Sequence, residues 1–155
     1  MKKKSIKFII YFIIMVVLDQ VTKYLIIDKN IPLISNLVDF KYIQNYGGAF
    51  GVGNINLVTI FSILLILGII VYVIVKRKDI TNFYPFILIL SGSIGNLIDR
   101  LFRGYVIDFI KIHIFDFPCF NIADICVTFG IIWLILWCIF KLIKKDKINM
   151  KNSDK

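Results

Sequence analysis

The 155-residue chain contains no glutamate, a single histidine and only three cysteines. The lone His113 lies where charged and apolar residues alternate, which is typical of a surface position, so mechanisms that need a histidine base are disfavoured. Serine hydrolases with a Ser/His pair belong to that class. Cys119, Cys126 and Cys138 lack metal-ligand spacing, which also disfavours a zinc peptidase. With these classes disfavoured, the remaining candidates for catalysis are carboxyl groups. All ten acidic residues are aspartates.

Charged residues are also scarce relative to apolar ones. Hydrophobic residues make up 59% of the chain and charged residues 19%, whereas soluble domains have about 45–50% and about 25%. The mean hydropathy is +0.83. The chain is therefore neither an ordinary soluble domain nor disordered, and its length allows one domain.

Four apolar runs are long enough to cross about 30 Å of hydrocarbon as helices, which takes about 20 residues each. They cover about residues 8–27, 55–75, 83–101 and 122–143. The first run follows several lysines and could be a cleaved signal peptide, but no small-residue cleavage site follows it, so a retained helix is expected. We predict an α-helical polytopic membrane protein with four transmembrane helices in a single domain of residues 1–155.

Basic residues predict the orientation of these helices. Lysine and arginine concentrate in the N-terminal tail, at residues 76–78 and in the C-terminal tail of residues 144–155. By the positive-inside rule these segments face the cytoplasm, so both termini lie inside and residues 28–54 and 102–121 face out. The net charge of +9 then reflects topology and contact with anionic lipids. No basic stripe is interleaved with exposed aromatics, so nucleic acid is not an expected partner.

The two outward segments carry strand signals. Polar and apolar residues roughly alternate from Leu37 to Asn45, which predicts a short strand with Phe40 and Tyr42 on one face. A second alternation at residues 110–114 predicts another strand or an amphipathic strip. The glycine-rich residues 47–51 predict a flexible turn at which the backbone can approach a ligand closely.

Aspartates in or beside a span are candidate functional groups, because a charge at bilayer depth costs at least about 2.5–3.5 kcal/mol. The four that qualify are Asp19, Asp99, Asp108 and Asp124. Asp19 lies four residues before Lys23 on one helix, so a salt bridge explains it better than catalysis. Asp99 is adjacent to Arg100, and an orienting ion pair again explains it better.

Asp108 and Asp124 have no such cationic neighbour and are predicted at the same membrane depth. Two carboxylates that share one proton can activate water and protonate an amide leaving group, as aspartic peptidases do. Asp124 also has a purely structural interpretation, because Asn121 can cap the last helix three residues earlier. Spacing alone leaves both interpretations open.

One face of the third span is small and polar. Its members recur at helical spacing and are Gly92, Gly95, Asn96, Asp99 and Arg103. Such a face packs against protein rather than lipid, and we assign the glycines to helix packing.

Four sequence blocks together resemble lipoprotein signal peptidase, also called signal peptidase II. They are DQVTK at 19–23, NYGGAF at 45–50, GNLIDR at 95–100 followed by GYVIDF at 104–109, and FNIAD at 120–124. The blocks stand in the family's order over nearly the whole chain. The sequence departs at Gly48, Ser91 and Ile125, where the family often has Ala, Gly and Ser, and none of these changes removes a proposed catalytic group.

The resemblance implies a bacterial membrane aspartic endopeptidase. Its substrates are prolipoproteins that carry a diacylglyceryl group on the cysteine that becomes the new N-terminus, and cleavage falls just before that cysteine. Asp108 and Asp124 are then the catalytic pair. The positions implied to bind or support the site are Asp19, Lys23, Asn45, Gly47, Phe50, Asn96, Arg100 and Asn121.

The family's fold is four transmembrane helices with a small outward β-sheet cradle, in the cytoplasmic (inner) membrane and with the active site on the outer side. No metal or organic cofactor is implied. The expected partners are lipidated prolipoprotein signal peptides and membrane lipids, and we expect a monomer.

A lipidated substrate presents its scissile bond at the membrane surface, so the enzyme needs a lateral opening and a clamp. Phe40, Tyr42 and the 47–51 turn are candidates for the clamp, or the aromatics only anchor the domain at the interface. The rival class is a small four-helix transporter or proton-conducting protein, because buried aspartates also form relays. The absence of an inverted repeat and the clustering of the acids toward one membrane face favour the peptidase.

Overall fold

A computed structural model describes residues 2–34, 37–48, 53–76, 80, 82–114 and 117–153. In chain order the elements are α1 (Lys2–Ile26), β1 (Asn30–Ile34), β2 (Val38–Asn45), α2 (Ile55–Val75), α3 (Tyr84–Phe102), β3 (Val106–Ile112) and α4 (Ile122–Ser153). Each helix contains a stretch long and apolar enough to cross a membrane. The four predicted helices are therefore confirmed.

The last helix is longer than predicted. The stretch of α4 that could span a membrane is Ile122–Lys144, but the helix continues to Ser153 through the basic tail that begins at residue 144. Lysine favours helix, and no Gly or Pro interrupts this segment, so nothing in it stops the helix.

Apolar side chains on α1, α2 and α4 face away from the protein. Phe61, Phe129 and Leu142 are each more than 60% exposed, a pattern that suits lipid and would be unfavourable in water. The central helix α3 differs, since half of its span is buried. It packs against each of the other three helices.

Two glycines allow the close packing of α3. A Cβ atom at Gly92 would overlap the carbonyl oxygen of Ala123 on α4, and one at Gly95 would lie 2.5 Å from Asp19 Oδ2 on α1. Neither backbone nor a held carboxylate can move easily out of the way. The predicted packing role of these glycines is confirmed.

The three strands form one antiparallel sheet in the order β1-β2-β3. The strand predicted from Leu37 to Asn45 is confirmed as β2. The second predicted strip is strand β3. This strand begins earlier than predicted, at Val106, and so includes Asp108. Asp108 pairs with Ile43, next to a register shift that lies between Phe40 and Ile43 of β2. Strand β1 was not predicted, because its sequence NIPLI is exposed throughout and contains a proline, which is tolerated on an edge strand.

The sheet is anchored on the end of α1. A cluster of Ile26, Ile107 and Phe109 forms its core, and Phe40 and Tyr42 pack against this cluster. The rings of Phe40 and Phe109 meet edge to face with centroids 5.6 Å apart. Because β1 and β2 follow α1 while β3 precedes α4, the sheet lies at the end of the bundle where α4 begins.

Candidate active site

Asp108 projects from β3 and is buried, with 3% of its surface exposed. Its Oδ1 atom accepts a hydrogen bond from Nδ2 of Asn121 at 2.7 Å. Its Oδ2 atom accepts one from Nδ2 of Asn45 at 2.9 Å. The pairing of β3 with β2 places Asn45 beside it, since Ile43 lies opposite Asp108. Both carboxyl oxygens are therefore held by amide donors.

Asp124 lies in the first turn of α4. Its Oδ1 atom accepts a hydrogen bond from Nδ2 of Asn96 at 2.7 Å, and its Oδ2 atom accepts one from the backbone N–H of Asn121 at 3.1 Å. In return, Oδ1 of Asn121 accepts the backbone N–H of Asp124 at 2.9 Å. This reciprocal arrangement is a capping box. The predicted cap of the last helix is confirmed.

Asn121 connects the two aspartates. Its side-chain amide donates to Asp108, and its backbone and side-chain oxygen bind Asp124. The residue has no exposed surface. A buried amide with several partners cannot rotate freely, so Asn121 fixes the relative placement of the two carboxyl groups.

The surroundings favour the neutral form of Asp108. Burial, and then the negative charge of Asp124, raise the pKa of Asp108 from 3.8 to about 6. The hydrogen bonds from Asn45 and Asn121 act in the opposite direction but are smaller effects. A carboxyl group with this pKa can hold a proton near neutral pH and release it when required.

An ion network lies behind the carboxyl pair. The ammonium of Lys23, which has no exposed surface, lies 2.9 Å from Asp19 Oδ2 and 3.0 Å from Asp99 Oδ2. It also donates to Oδ1 of Asn96 at 2.9 Å. The predicted Asp19–Lys23 salt bridge is confirmed, and Asp99 shares the same cation.

The prediction that Asp99 pairs with Arg100 is wrong. Asp99 pairs with Arg103, one helical turn further on, as well as with Lys23. Successive residues of a helix point about 100° apart, so adjacent side chains do not meet. The sequence analysis also missed Gln20, which donates to Asp99 Oδ1 at 3.1 Å and accepts from Arg103 at 3.0 Å. Gln20 could have been selected from the sequence, because it is a polar residue inside a span and next to Asp19.

Beside the two aspartates lies a cavity of about 770 Å³. Polar side chains line it at one side, and apolar groups of α2, α4 and the segment before α4 form the rest. The polar lining includes Asn45, Asn96, Arg100, Asp108 and Asp124, and the apolar lining includes Leu65, Ile112, Ile114, Phe117, Phe120, Val127 and Phe129. Among the described residues, α2 packs chiefly on α3 and makes few contacts with α4. The cavity lies on this loosely packed side.

Arg100 contributes the cation of the cavity wall. Its Nε atom is buried and has no hydrogen-bond partner among the residues that the structure describes.

The remaining predicted site residues differ in position. Asn121 lies directly behind the carboxyl groups, and Asp19 and Lys23 form the layer behind it. Gly47 is buried, and its N–H donates to Oδ1 of Asn45 at 2.9 Å, which orients that amide toward Asp108. Phe50 lies outside the described residues.

Phe40 and Tyr42 do not line the cavity. Both pack against the core of the sheet, which favours the alternative that they only anchor the domain; their part in a substrate clamp stays a prediction. Simple alternation along β2 does not decide which face they take, because a register shift between Phe40 and Ile43 interrupts it. Residues of the segment before α4 line the cavity instead, and the sequence analysis did not select them. Cys119 is one of them.

The chain is similar to known membrane peptidases over most of its length. A family model described as signal peptidase (SPase) II matches residues 11–140. The lipoprotein signal peptidase of Clostridium acetobutylicum is 37% identical over 142 residues, which cover 84% of this chain and 92% of that protein. The lipoprotein signal peptidase of Caldicellulosiruptor bescii is 40% identical over 134 residues, which cover 81% and 87%.

Two solved structures are similar in fold. A bacterial membrane enzyme determined by the in meso method at 2.3 Å resolution superposes with a TM-score of 0.81 at 31% identity, covering 90% of this chain and 91% of that one. A second, at 1.9 Å resolution, gives a TM-score of 0.74 at 32% identity, covering 85% and 92%.

Proposed function

The chain belongs to the signal peptidase II family, and on that premise we propose that Asp108 and Asp124 are the catalytic pair of a prolipoprotein signal peptidase. The protein is an aspartic peptidase and a multi-pass membrane protein. The family acts on lipoprotein signal peptides. The proposed reaction is cleavage just before a diacylglyceryl-modified cysteine, and the proposed active domain is the whole chain of residues 1–155.

The observation that carries this proposal is the convergence of two carboxyl groups on one cavity. Asp108 comes from a strand and Asp124 from a helix start, yet both line the same space and both are held by Asn121. The alternative of a transporter or proton-conducting protein is set aside, because the family is one of peptidases.

The environments of the two groups suggest their roles. Asp124 lies in the first turn of a helix, where free N–H groups and the helix dipole favour a negative charge by about 0.3–1 kcal/mol, or up to about 2 kcal/mol when partly buried. Asp108, with a pKa raised to about 6, holds the proton more readily. We assign Asp124 as the base that accepts a proton from the attacking water, and Asp108 as the acid.

The acid then completes the reaction. As water attacks the scissile carbonyl, Asp108 gives its proton to the carbonyl oxygen, and the new C–O bond makes the carbon tetrahedral. Collapse of this intermediate breaks the C–N bond as the proton held by Asp124 passes to the departing nitrogen, and one hydroxyl of the intermediate returns its proton to Asp108 as the C=O bond forms. The amine of the lipidated cysteine becomes the new N-terminus.

The shape of the cavity suits a substrate that arrives within the bilayer. The weak contact between α2 and α4 offers a lateral entrance, and the apolar lining suits a hydrophobic peptide with acyl chains. We propose that the protein acts as a monomer in the cytoplasmic (inner) membrane among its lipids, with this site on the outer side.

The experiment is cleavage of a synthetic diacylglyceryl lipopeptide by purified protein in detergent, with the product identified by mass spectrometry. Asp108→Asn and Asp124→Asn should each abolish cleavage, because neither carboxyl group alone can supply both proton transfers. The matched control is Asp39→Asn, since the one side-chain hydrogen bond of Asp39 among the described residues is to His113, at an exposed position. More than a few per cent of wild-type turnover in either catalytic variant would contradict the pair assignment.

A further inference from the structure

The side-chain amide of Asn96 has neighbours of opposite character. Its Nδ2 atom lies 2.7 Å from Asp124 Oδ1, whereas its Oδ1 atom lies 2.9 Å from the ammonium of Lys23. An ammonium only donates and an ionised carboxylate only accepts, so one orientation of the amide satisfies both. We propose that Lys23 is a positioning residue that fixes this orientation and so directs a hydrogen-bond donor at Asp124. The inference rests on the proposed catalytic role of Asp124.

Asn121 fixes the side-chain amide of Asn96 less firmly than Lys23 does. Its Nδ2 atom is within hydrogen-bond distance of three acceptors, which are Asn96 Oδ1 at 3.1 Å, the carbonyl oxygen of Ile107 at 3.1 Å and Asp108 Oδ1 at 2.7 Å. It has two hydrogens for these three oxygens, and the shortest contact is with Asp108. Asn96 therefore needs another donor.

Lys23 has a hydrogen for each of its acceptors. The ammonium meets Asp19, Asp99 and Asn96 at 2.9, 3.0 and 2.9 Å, and it is fully buried. A buried ammonium with all three hydrogens engaged does not rotate away from any of them. Lys23 is thus a permanent donor to the Asn96 oxygen.

The charge of Lys23 is neutralised by its own network. Lys23 and Arg103 face Asp19 and Asp99, so two cations meet two carboxylates. The positive charge of Lys23 lowers the pKa of Asp108, but by less than the hydrogen bonds from Asn45 and Asn121 do. The contact of Lys23 with Asp124 passes through the Asn96 amide.

The test compares Lys23→Met with Arg103→Met. Both variants remove a cation from Asp99, but only Lys23 contacts Asn96. With the diacylglyceryl lipopeptide as substrate, Lys23→Met should lower kcat by about 10- to 100-fold, the range found when an outer hydrogen-bond partner of an active group is lost, with little change in KM. Arg103→Met should lower kcat much less. Lys23→Arg should recover part of the loss, because a guanidinium also only donates.

A charge-balanced variant tests whether the loss of kcat in Lys23→Met comes from misfolding. Asp19→Asn/Lys23→Met removes one acid together with one base, and the asparagine can still accept the N–H of Ala123 that Asp19 Oδ1 accepts now. This variant should fold and show the same loss of kcat. In an Asn96→Ala background, adding Lys23→Met should lower kcat no further, since the amide on which Lys23 acts is gone.

An infrared readout separates this inference from the proposed function, because it needs no turnover. The carboxylate bands that disappear in Asp124→Asn belong to Asp124, and Lys23→Met should shift them while Arg103→Met leaves them in place. Equal kcat losses in the two variants, additive effects with Asn96→Ala, or unshifted bands would each overturn the positioning role. Cleavage that persists in Asp124→Asn would instead overturn the proposed function.

Discussion

Asn121 and Asp124 bind each other at the start of α4, each accepting the backbone N–H of the other at 3.1 and 2.9 Å. The carboxyl group that we assign to catalysis therefore also begins the helix. The same asparagine donates to Asp108. The structural and catalytic interpretations of Asp124, which spacing alone could not separate, are compatible, because the cap uses one carboxyl oxygen, Oδ2, and Asp124 still lines the cavity.

The first prediction concerns the titration of Asp108. Burial is the largest cause of its raised pKa of about 6, and the charge of Asp124 is the second. In Asp124→Asn the second cause is lost, so the pKa of Asp108 should fall below the wild-type value but stay above 3.8. The measurement is an infrared pH titration of the protonated carboxyl band that is missing in Asp108→Asn.

The raised pKa of Asp108 also makes the stability of the folded state depend on pH. A carboxyl group whose pKa is raised on folding stabilises the folded state below its unfolded pKa, and this contribution is lost as the pH rises through about 6. In the wild type the charge of Asp124 raises the pKa of Asp108, so the single variant reports Asp108 without that effect. A midpoint in Asp124→Asn at or above the wild-type one would contradict the electrostatic account.

The second prediction concerns Asp19 and Lys23. Lys23→Ala leaves Asp19 without its cation, a loss that costs about 3–5 kcal/mol for a buried pair, whereas Asp19→Ala leaves Lys23 with Asp99 alone and should cost less. Each variant should lower stability and, with it, activity. The double variant should be less damaging than the two losses added, with a coupling of about 0.5–3 kcal/mol. Thermal unfolding in detergent of all four proteins measures this cycle.

The control cycle uses Asp39 and His113, whose 2.6 Å contact is solvent-exposed. An exposed pair should couple by no more than about 1 kcal/mol. Strict additivity of the Asp19 and Lys23 effects would show that they do not act as a pair.

The helices could be predicted from the sequence because the thickness of the membrane's hydrocarbon core sets the length of an apolar helix that crosses it. Runs of about 20 apolar residues have few alternatives, and each predicted run corresponds to a helical stretch that could span a membrane, within about two residues at either end. Strand β1 could not be found in this way, since an exposed edge strand of five residues has neither alternation nor burial to mark it. The helical extension of α4 into its basic tail depends on local propensity, which the search for spans did not consider.

The site was predicted in part. Asp108 and Asp124 stood out because charge is costly near a membrane, and the Asp19–Lys23 pair followed from helical spacing. The partner of Asp99 and the role of Gln20 depend on how α1 and α3 face each other, which spacing within one helix does not encode. The same holds for Phe40 and Tyr42, whose alternation placed them on one face without saying which face the cavity occupies.

The third prediction concerns Gly95, where α3 approaches α1. A Cβ atom there would lie 2.5 Å from Asp19 Oδ2 and 3.3 Å from the Cβ of Ala123. Gly95→Ala should therefore lower the free energy of unfolding by about 1–3 kcal/mol through overpacking. Gly68→Ala is the matched control, because among the described residues no atom outside the helix's own backbone lies within 4 Å of its added Cβ on α2, and alanine favours helix by up to about 1 kcal/mol over glycine. Equal thermal stability of the two variants would contradict the packing account.

The last prediction fixes the side of the membrane on which the site lies. Lys41 is exposed on β2, two residues before Ile43, which pairs with Asp108. Lys76 is exposed at the other end of the bundle, where it caps α2. In a background without Cys119, Cys126 and Cys138, Lys41→Cys should react with an impermeant thiol reagent in intact cells stripped of any outer barrier. Lys76→Cys should react only after permeabilisation, because the positive-inside rule places the basic residues 76–78 in the cytoplasm. Labelling of Lys76→Cys in intact cells, with Lys41→Cys protected, would reverse the orientation and move the catalytic pair to the cytoplasmic side.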